Sequence, residues 1–316
     1  MHRPVQAIVS IRSLRTRELT PEEADAEAGE IYTPNYVSDI RVAARGPWYY
    51  VDCKGQIPPP MQERMIAVLE ELEREGVSAL VEVPADDEMD YMDNGTRSEL
   101  LSRLSEAVES VTNAHPTRVA VDGPPAAGKT TLADELAVVL RAQGREVIRA
   151  TIEDFLTPRS QRYRRGKHSA DGCYHDSFDF DALHQVLLDP LGPRGDRRFQ
   201  QAVYDKVTDT ALSQPVTTAP ADAVLLFDGV FLMRPELIDR WDLRIFVSAA
   251  FEETLDRART RDLAVYGSVT EVERRFHNRY RPSQQLYFDT VRPTDHADII
   301  VHNDEPQQPA WEARPR

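Results

Sequence analysis

The segment Val119-Ala120-Val121-Asp122-Gly123-Pro124-Pro125-Ala126-Ala127-Gly128-Lys129-Thr130-Thr131 constrains this chain more than any other. It fits G-x-x-x-x-G-K-[ST], with an apolar strand-length run before it and an amphipathic stretch after it. Chemistry needs that order. Glycines let the backbone curl until its N–H groups point at phosphate oxygens, and a helix starting at the lysine adds free amides and the positive end of its dipole. Gly123, Pro124, Pro125, Ala126, Ala127, Gly128, Lys129, Thr130 and Thr131 are therefore the candidate nucleotide-binding residues. Lys129 is expected to reach the β- and γ-phosphates and the Thr130 hydroxyl to ligate Mg2+. A second apolar run, Ala223-Val224-Leu225-Leu226-Phe227, ends in Asp228-Gly229. A carboxylate there, on a strand beside the first, is the candidate second metal group.

From residue 96 the pattern alternates helices with short, continuously apolar strands. Helices are predicted over 96–112, 129–142, 179–188, 250–263 and 269–280, and strands over 118–122, 146–151, 202–204, 223–227, 243–247 and 298–301. Such alternation implies an α/β fold in which a parallel sheet is covered by helices on both faces, here around a phosphate-binding loop. The tail 306–316, rich in Pro and Gln, is expected to fray.

Residues 1–95 differ. They hold 19 acids against 9 bases, ten of the fifteen net negative charges on the chain, and end in the acidic, turn-rich stretch 84–95. This marks a domain boundary between a small acidic α/β unit (1–95) and the nucleotide-binding domain (96–305). In the first unit strands are predicted over 5–12, 38–44, 48–53 and 78–83. A helix opens at Pro60, carries Met61, Met65, Ile66, Val68, Leu69 and Leu72 on one stripe, and closes at Gly76.

The overall balance, 38 Lys+Arg against 53 Asp+Glu, argues against general nucleic-acid binding. No run approaches the roughly 20 apolar residues a membrane crossing needs. Two cysteines 120 positions apart, Cys53 and Cys173, make neither a disulfide framework nor a zinc site. A soluble cytoplasmic protein is the expectation; oligomeric state stays open.

Downstream of the loop an ordered set of short motifs resembles the uridine kinase family, related to phosphoribulokinase and bacterial pantothenate kinase. Ile152-Glu153-Asp154-Phe155 stands where that family has Asp-Ser-Phe or Asp-Asp-Phe. His175-Asp176-Ser177-Phe178-Asp179-Phe180-Asp181 is similar to its His-Pro-Asp-Ala-Phe-Asp, Val203-Tyr204-Asp205 to its Tyr-Asp strand, and Leu226-Phe227-Asp228-Gly229 to its Phe-Glu-Gly. Arg257, Arg259 and Arg261 fall where its arginine-bearing lid begins, and Arg292-Pro293 through Ala297-Asp298-Ile299-Ile300-Val301 resembles its closing Pro…Ala-Asp-Val-Ile. The resemblance spans about 117–305. It implies ATP-dependent phosphoryl transfer, with Mg2+, to a small-molecule hydroxyl, in uridine kinases that of a nucleoside.

Anchored on Phe155, the family's catalytic aspartate falls on Glu153, not Asp154, so either carboxylate is a candidate base. Arg257 and Arg261 share a helical face and are the candidate phosphate clamps; Arg259 points elsewhere. His175, Tyr204 and Asp205 are candidate acceptor contacts. The insert Arg159-Ser160-Gln161-Arg162-Tyr163-Arg164-Arg165-Gly166-Lys167-His168 is basic in an acidic chain. It reads either as an acceptor loop that binds an anion or stacks a base, with Arg164 as its contact, or as a solvated loop. The acceptor remains open among a nucleoside, a sugar phosphate, a pantothenate-like compound and a specialised metabolite. A nucleotide-binding regulator without transfer activity is the reading from another class.

Overall fold

The computed structural model describes residues 92–314 and, within the first 91, four strands: β1 (Ile8–Arg12), β2 (Asp39–Arg45), β3 (Trp48–Lys54) and β4 (Ser78–Glu82). These strands form one antiparallel sheet in the order β2-β3-β1-β4, with Arg12 opposite both Trp48 and Ser78. The helix expected over 60–76 lies outside the described residues. The chain divides into two compact units, 1–92 and 93–316.

The second unit is built on a seven-stranded sheet ordered β5-β15-β14-β13-β6-β12-β7. Its strands are β5 (Met92–Asn94), β6 (Thr117–Asp122), β7 (Val147–Thr151), β12 (Val224–Asp228), β13 (Leu243–Ser248), β14 (Ile299–His302) and β15 (Ala310–Ala313). The five from β14 to β7 run parallel. Two-residue ladders, β8 (Arg198–Phe199) with β11 (Thr217–Thr218) and β9 (Tyr204–Asp205) with β10 (Thr210–Ala211), stand apart from the sheet.

Side-chain alternation explains why both faces are covered. Along β6 and β12, Val119, Val121, Val224 and Leu226 face one layer. There they meet Leu100, Leu104 and Val108 of α1 (Arg97–Ser110), and Leu132, Leu136 and Leu140 of α2 (Lys129–Ala142). Ala120, Leu225 and Phe227 face the other, packed on Leu183, Leu187, Leu188 and Trp241. All residues of β6 and β12 are buried, which is why these strands read as unbroken apolar runs. α1 starts on a capping box in which Thr96 and Glu99 exchange hydrogen bonds.

Two sequence expectations need correction. The segment 306–316 is not a frayed tail through its described part. Residues 310–313 form β15, antiparallel to β14, with Ile299 opposite Ala313 and Trp311 only 5% exposed. Burying that indole, together with the bond between His302 Nε2 and Glu312 Oε1 (2.7 Å), outweighs the flexible composition. The helix expected to end at residue 280 also continues. A π-turn at 276–280 joins α5 (Val269–Arg275) to α6 (Arg281–Val291), and the widened turn stands just ahead of Pro282, which has no N–H to give to a carbonyl one turn back.

Candidate active site

The carboxyl ends of β6, β12 and β7 lie side by side. That is where open parallel sheets place their ligands, and each strand delivers one part of the site. β6 runs into the phosphate loop. Gly123 (φ +146°) admits no side chain, because a Cβ would come within 2.2 Å of the Val247 carbonyl; at Gly128 (φ +97°) it would stand 2.4 Å from Asn303 Nδ2. Asn303 holds the loop from outside, donating to the Ala127 carbonyl (2.7 Å) and accepting from Arg97 (3.1 Å).

Asp122 holds the loop from behind. Its fully buried carboxylate accepts from the Gly123 amide (2.7 Å), the Leu232 amide (3.1 Å) and the Tyr287 hydroxyl of α6 (2.6 Å). Burial pushes this carboxyl above its ordinary range, and those bonds together with Lys129 oppose the push. The motif pattern does not identify Asp122 or Tyr287, because nothing local shows that α6 docks against the strand.

Lys129, buried at the start of α2, folds its ammonium onto the Pro124 carbonyl at 2.7 Å. Burial lowers its pKa to about 8, against the pull of Asp122 and Asp228; Arg261 lowers it further and Glu153 raises it. The Thr130 hydroxyl donates to Asp228 Oδ2 (2.6 Å). The other oxygen of Asp228 takes the Arg149 guanidinium of β7 (2.8 Å), which also donates to the Leu226 carbonyl (2.6 Å) and to Asp134 (2.9 Å).

These residues fit a nucleotide and its metal. A buried lysine, glycines that a side chain would block and the bare amides of the first turn of α2 suit phosphate oxygens. The hydroxyl and carboxylate of Thr130 and Asp228 are the hard oxygen donors Mg2+ takes. Mg·ATP held here would supply the transferable phosphoryl group, and its metal would neutralise part of the phosphate charge.

β7 ends in the single turn Ile152–Phe155, which carries Glu153 and Asp154. Glu153, half exposed, is ion-paired with Lys206. Asp154 is half-buried, and burial raises its pKa; Lys206 opposes this, while Glu153 and Asp228 add to it. For Lys206 itself burial acts downward, but the contact with Glu153 and the charge of Asp154 more than offset it. Lys206 was not foreseen from the sequence. Asp205, foreseen as an acceptor contact, explains its placement: that carboxylate accepts from the Val207 amide (2.8 Å) and the Thr208 hydroxyl (2.8 Å), folding the turn that presents Lys206.

Both expected clamps lie on α4 (Phe251–Arg261); Arg261 is paired with the neighbouring Asp262 (2.7 and 2.9 Å), and its charge still reaches Lys129 and Glu153. Arg257 is held elsewhere: it donates to the carbonyls of Asn303 and Asp304 (2.8 Å each), in the loop after β14. Tyr204 is buried and bonds Asp209. His175 packs edge-on against Tyr174, ring centroids 4.8 Å apart. Arg164, with Arg165, is paired to Asp176 (2.6 and 2.7 Å). Thus the structure gathers Lys129, Thr130, Asp228, Glu153, Asp154, Lys206 and Arg261, and ties Arg257, Arg164, Tyr204 and Asp205 to structural partners.

Residues 118–305 match the model of the cytidylate kinase-like family. Among curated proteins, uridine-cytidine kinase B of Dictyostelium discoideum is 27% identical over 190 residues, covering 59% of this chain and 74% of its own length. A uridine kinase of Chlamydia pneumoniae is 26% identical over 186 residues, 58% and 80%. The solved structure of a "possible uridine kinase" from Bacillus stearothermophilus superposes with a TM-score of 0.51 at 23% identity, covering 64% of this chain and 97% of that one, a likeness of fold. With the phosphate loop, its lysine and the carboxylates of Asp228, Glu153 and Asp154 at neighbouring strand ends, the chain belongs to the cytidylate kinase-like family of P-loop kinases.

Proposed function

We propose that this chain transfers the γ-phosphoryl group of Mg·ATP to a hydroxyl of a small acceptor, with a nucleoside, uridine or cytidine, as the first acceptor to test. One observation carries the transfer reading. Two carboxylates stand at the end of β7: Glu153 within electrostatic reach of Lys129, Arg261 and Lys206, and Asp154 within reach of Lys206. A hydroxyl approaching the phosphoryl group needs a carboxylate to orient it and take its proton, with cations around the migrating charge. Glu153 is assigned the base, because its charge reaches both Lys129 and Arg261. Asp154 is the second carboxylate, Arg261 the lid cation, and Thr130 with Asp228 the metal-side pair. The nucleoside preference is supported by what the relatives are named for.

The test is acceptor-stimulated ADP release with uridine, cytidine, other nucleosides, ribulose 5-phosphate and pantothenate, with Lys129→Ala as the blank. Glu153→Gln is expected to lower kcat by about 10²–10⁴-fold, the usual contribution of a general base, and Asp154→Asn by less. A Glu153→Gln enzyme within threefold of the native rate refutes the base assignment. A second reading, an acceptor that already carries negative charge, is favoured by the cations around Tyr163.

A further inference from the structure

The surface formed by the insert 159–168, α3 (Ala170–Asp176) and α5 with the turn after it is crowded with cations. Among the described residues, seven basic side chains share three carboxylates. Asp209 takes Arg159 and Arg162, Asp176 takes Arg164 and Arg165, and Glu271 takes Lys167, Arg274 and Arg275. An eighth cation, Arg279, has no carboxylate among its hydrogen-bond partners. It is 3% exposed, donates to the Ser169 carbonyl (3.0 Å) and the Ser177 hydroxyl (3.3 Å), and lies beside the Cys173 thiol. Arg162 and Arg275 are nearly as deep, at 6% and 5% exposed.

The three buried guanidiniums gather around one phenol. Arg162 and Arg279 lie 5.6 and 5.1 Å from the centre of the Tyr163 ring, and Arg275, 4.2 Å over the Tyr266 ring and bonded to Glu271 (3.2 Å), has the Tyr163 hydroxyl within electrostatic reach. Burial raises the Tyr163 pKa, but these cations more than reverse it, and the hydroxyl titrates below its ordinary range. A buried charge left with neutral partners is unfavourable in a protein interior, and an arriving anion relieves it. Guanidinium pairs are the groups best shaped for carboxylate and phosphate.

The cluster also borders the transfer site. Arg159 donates to the Lys206 carbonyl (3.1 Å), and Tyr266 lies within electrostatic reach of Arg261.

We propose that Arg275, Arg279 and the Tyr163 hydroxyl bind an anionic group on the acceptor, so that the acceptor is a hydroxyl compound bearing a phosphate or a carboxylate. This rests on the reading of the chain as a kinase of a small hydroxyl compound.

The experiment has two readouts on the full chain. In the first, inorganic phosphate is titrated calorimetrically into protein whose phosphate loop is filled with a non-hydrolysable Mg·ATP analogue. Arg279→Gln is expected to weaken phosphate at least tenfold, Arg279→Lys to weaken it less, and Tyr163→Phe, which keeps every charge, about threefold; thermal melting checks that each variant is folded. In the second, ADP release is compared for glycerol, glycerate, glycerol 3-phosphate and uridine. An anionic member should exceed glycerol at least tenfold in kcat/KM, with Arg279→Gln acting on its KM more than on kcat. Glycerate and glycerol 3-phosphate tell carboxylate from phosphate. Phosphate affinity that is absent, or unmoved in folded Arg279→Gln and Arg279→Lys, overturns the anion site, as does preference for uridine over every anionic acceptor. Phosphate binding through Arg279 without acceptor-stimulated ADP release refutes the transfer reading instead.

Discussion

Replacing Tyr287 by Phe removes one oxygen from behind the phosphate loop and leaves the packing of the ring intact. That oxygen donates to Asp122 Oδ2 (2.6 Å) and accepts from the Met233 amide (2.9 Å), and the ring is fully buried. A hydrogen bond to a charged group contributes about 1.5–3 kcal/mol, and a buried amide left bare costs about 1–3 kcal/mol. Asp122 keeps the amides of Gly123 and Leu232, so partial relaxation puts the loss at roughly 3 kcal/mol. For a unit of this size, about 2–4 °C per kcal/mol makes that about 6–12 °C in Tm.

The loss depends on pH, with a defined sign. Burial holds the Asp122 carboxyl above its ordinary 3.8 in the folded chain, so its contribution to stability falls as pH rises from 3.8 through the folded value. The Tyr287 hydroxyl limits that rise. Without it the carboxyl titrates higher still, and the extra destabilisation is present only above the native value. The assay is the melting transition that shifts upward with added Mg·ATP, followed for both proteins from pH 4.5 to 8. The gap should be narrowest at the acid end and widen toward neutrality. A gap that stays constant with pH, or stays below about 1 °C, refutes the assignment of Asp122 as a buried carboxylate supported by Tyr287.

Two further outcomes follow from the loop itself. Gly128→Ala combines a left-handed φ with a Cβ only 2.4 Å from Asn303 Nδ2, so it displaces the side chain that holds the Ala127 carbonyl. Affinity for a fluorescent ATP analogue should fall at least tenfold, and native affinity in that variant removes the bracing role of Asn303. Lys129, with its pKa near 8 in the nucleotide-free chain, becomes fully charged against phosphates. Nucleotide binding should therefore take up about half a proton at pH 8 and much less at pH 6.5, read by calorimetry in buffers of different ionisation heat and corrected with Lys129→Met. Equal uptake by the native chain and the variant contradicts it.

The parts of the site that could be read from the sequence are those whose meaning is local. The phosphate loop is one contiguous motif, and the strands beside it announce themselves because burial on both faces leaves no polar position to confuse the pattern. Helical periodicity correctly puts Arg257 and Arg261 on one face. It carries no information about the carbonyls of Asn303 and Asp304, which lie more than forty positions away and hold the first of the pair. The insert 159–168 is legibly basic, yet two of the carboxylates that answer it, Asp209 and Glu271, come from distant segments. Arg149, Lys206 and Arg279 are ordinary surface residues by type and acquire their roles only from what folds against them. Asp205 is different. An aspartate two residues before a valine amide and three before a threonine carries a turn signal that could have been weighed against the acceptor role.

The sheet's edge has a consequence for how the chain is made. β5, with the backbone bonds from Gly95 to Pro309 and from Arg97 to Gln307, joins the first residues of the nucleotide-binding unit to its last strand. The phosphate loop, Glu153, Asp154 and Asp228 leave the ribosome well before β15 does. Until residue 313 emerges, Ile299–His302 present an open row of backbone donors and acceptors on the side that β15 later covers. The nascent unit therefore holds its phosphate loop and the carboxylates beside it on an unfinished sheet, at the stage when a chaperone or a second nascent chain can still reach that edge.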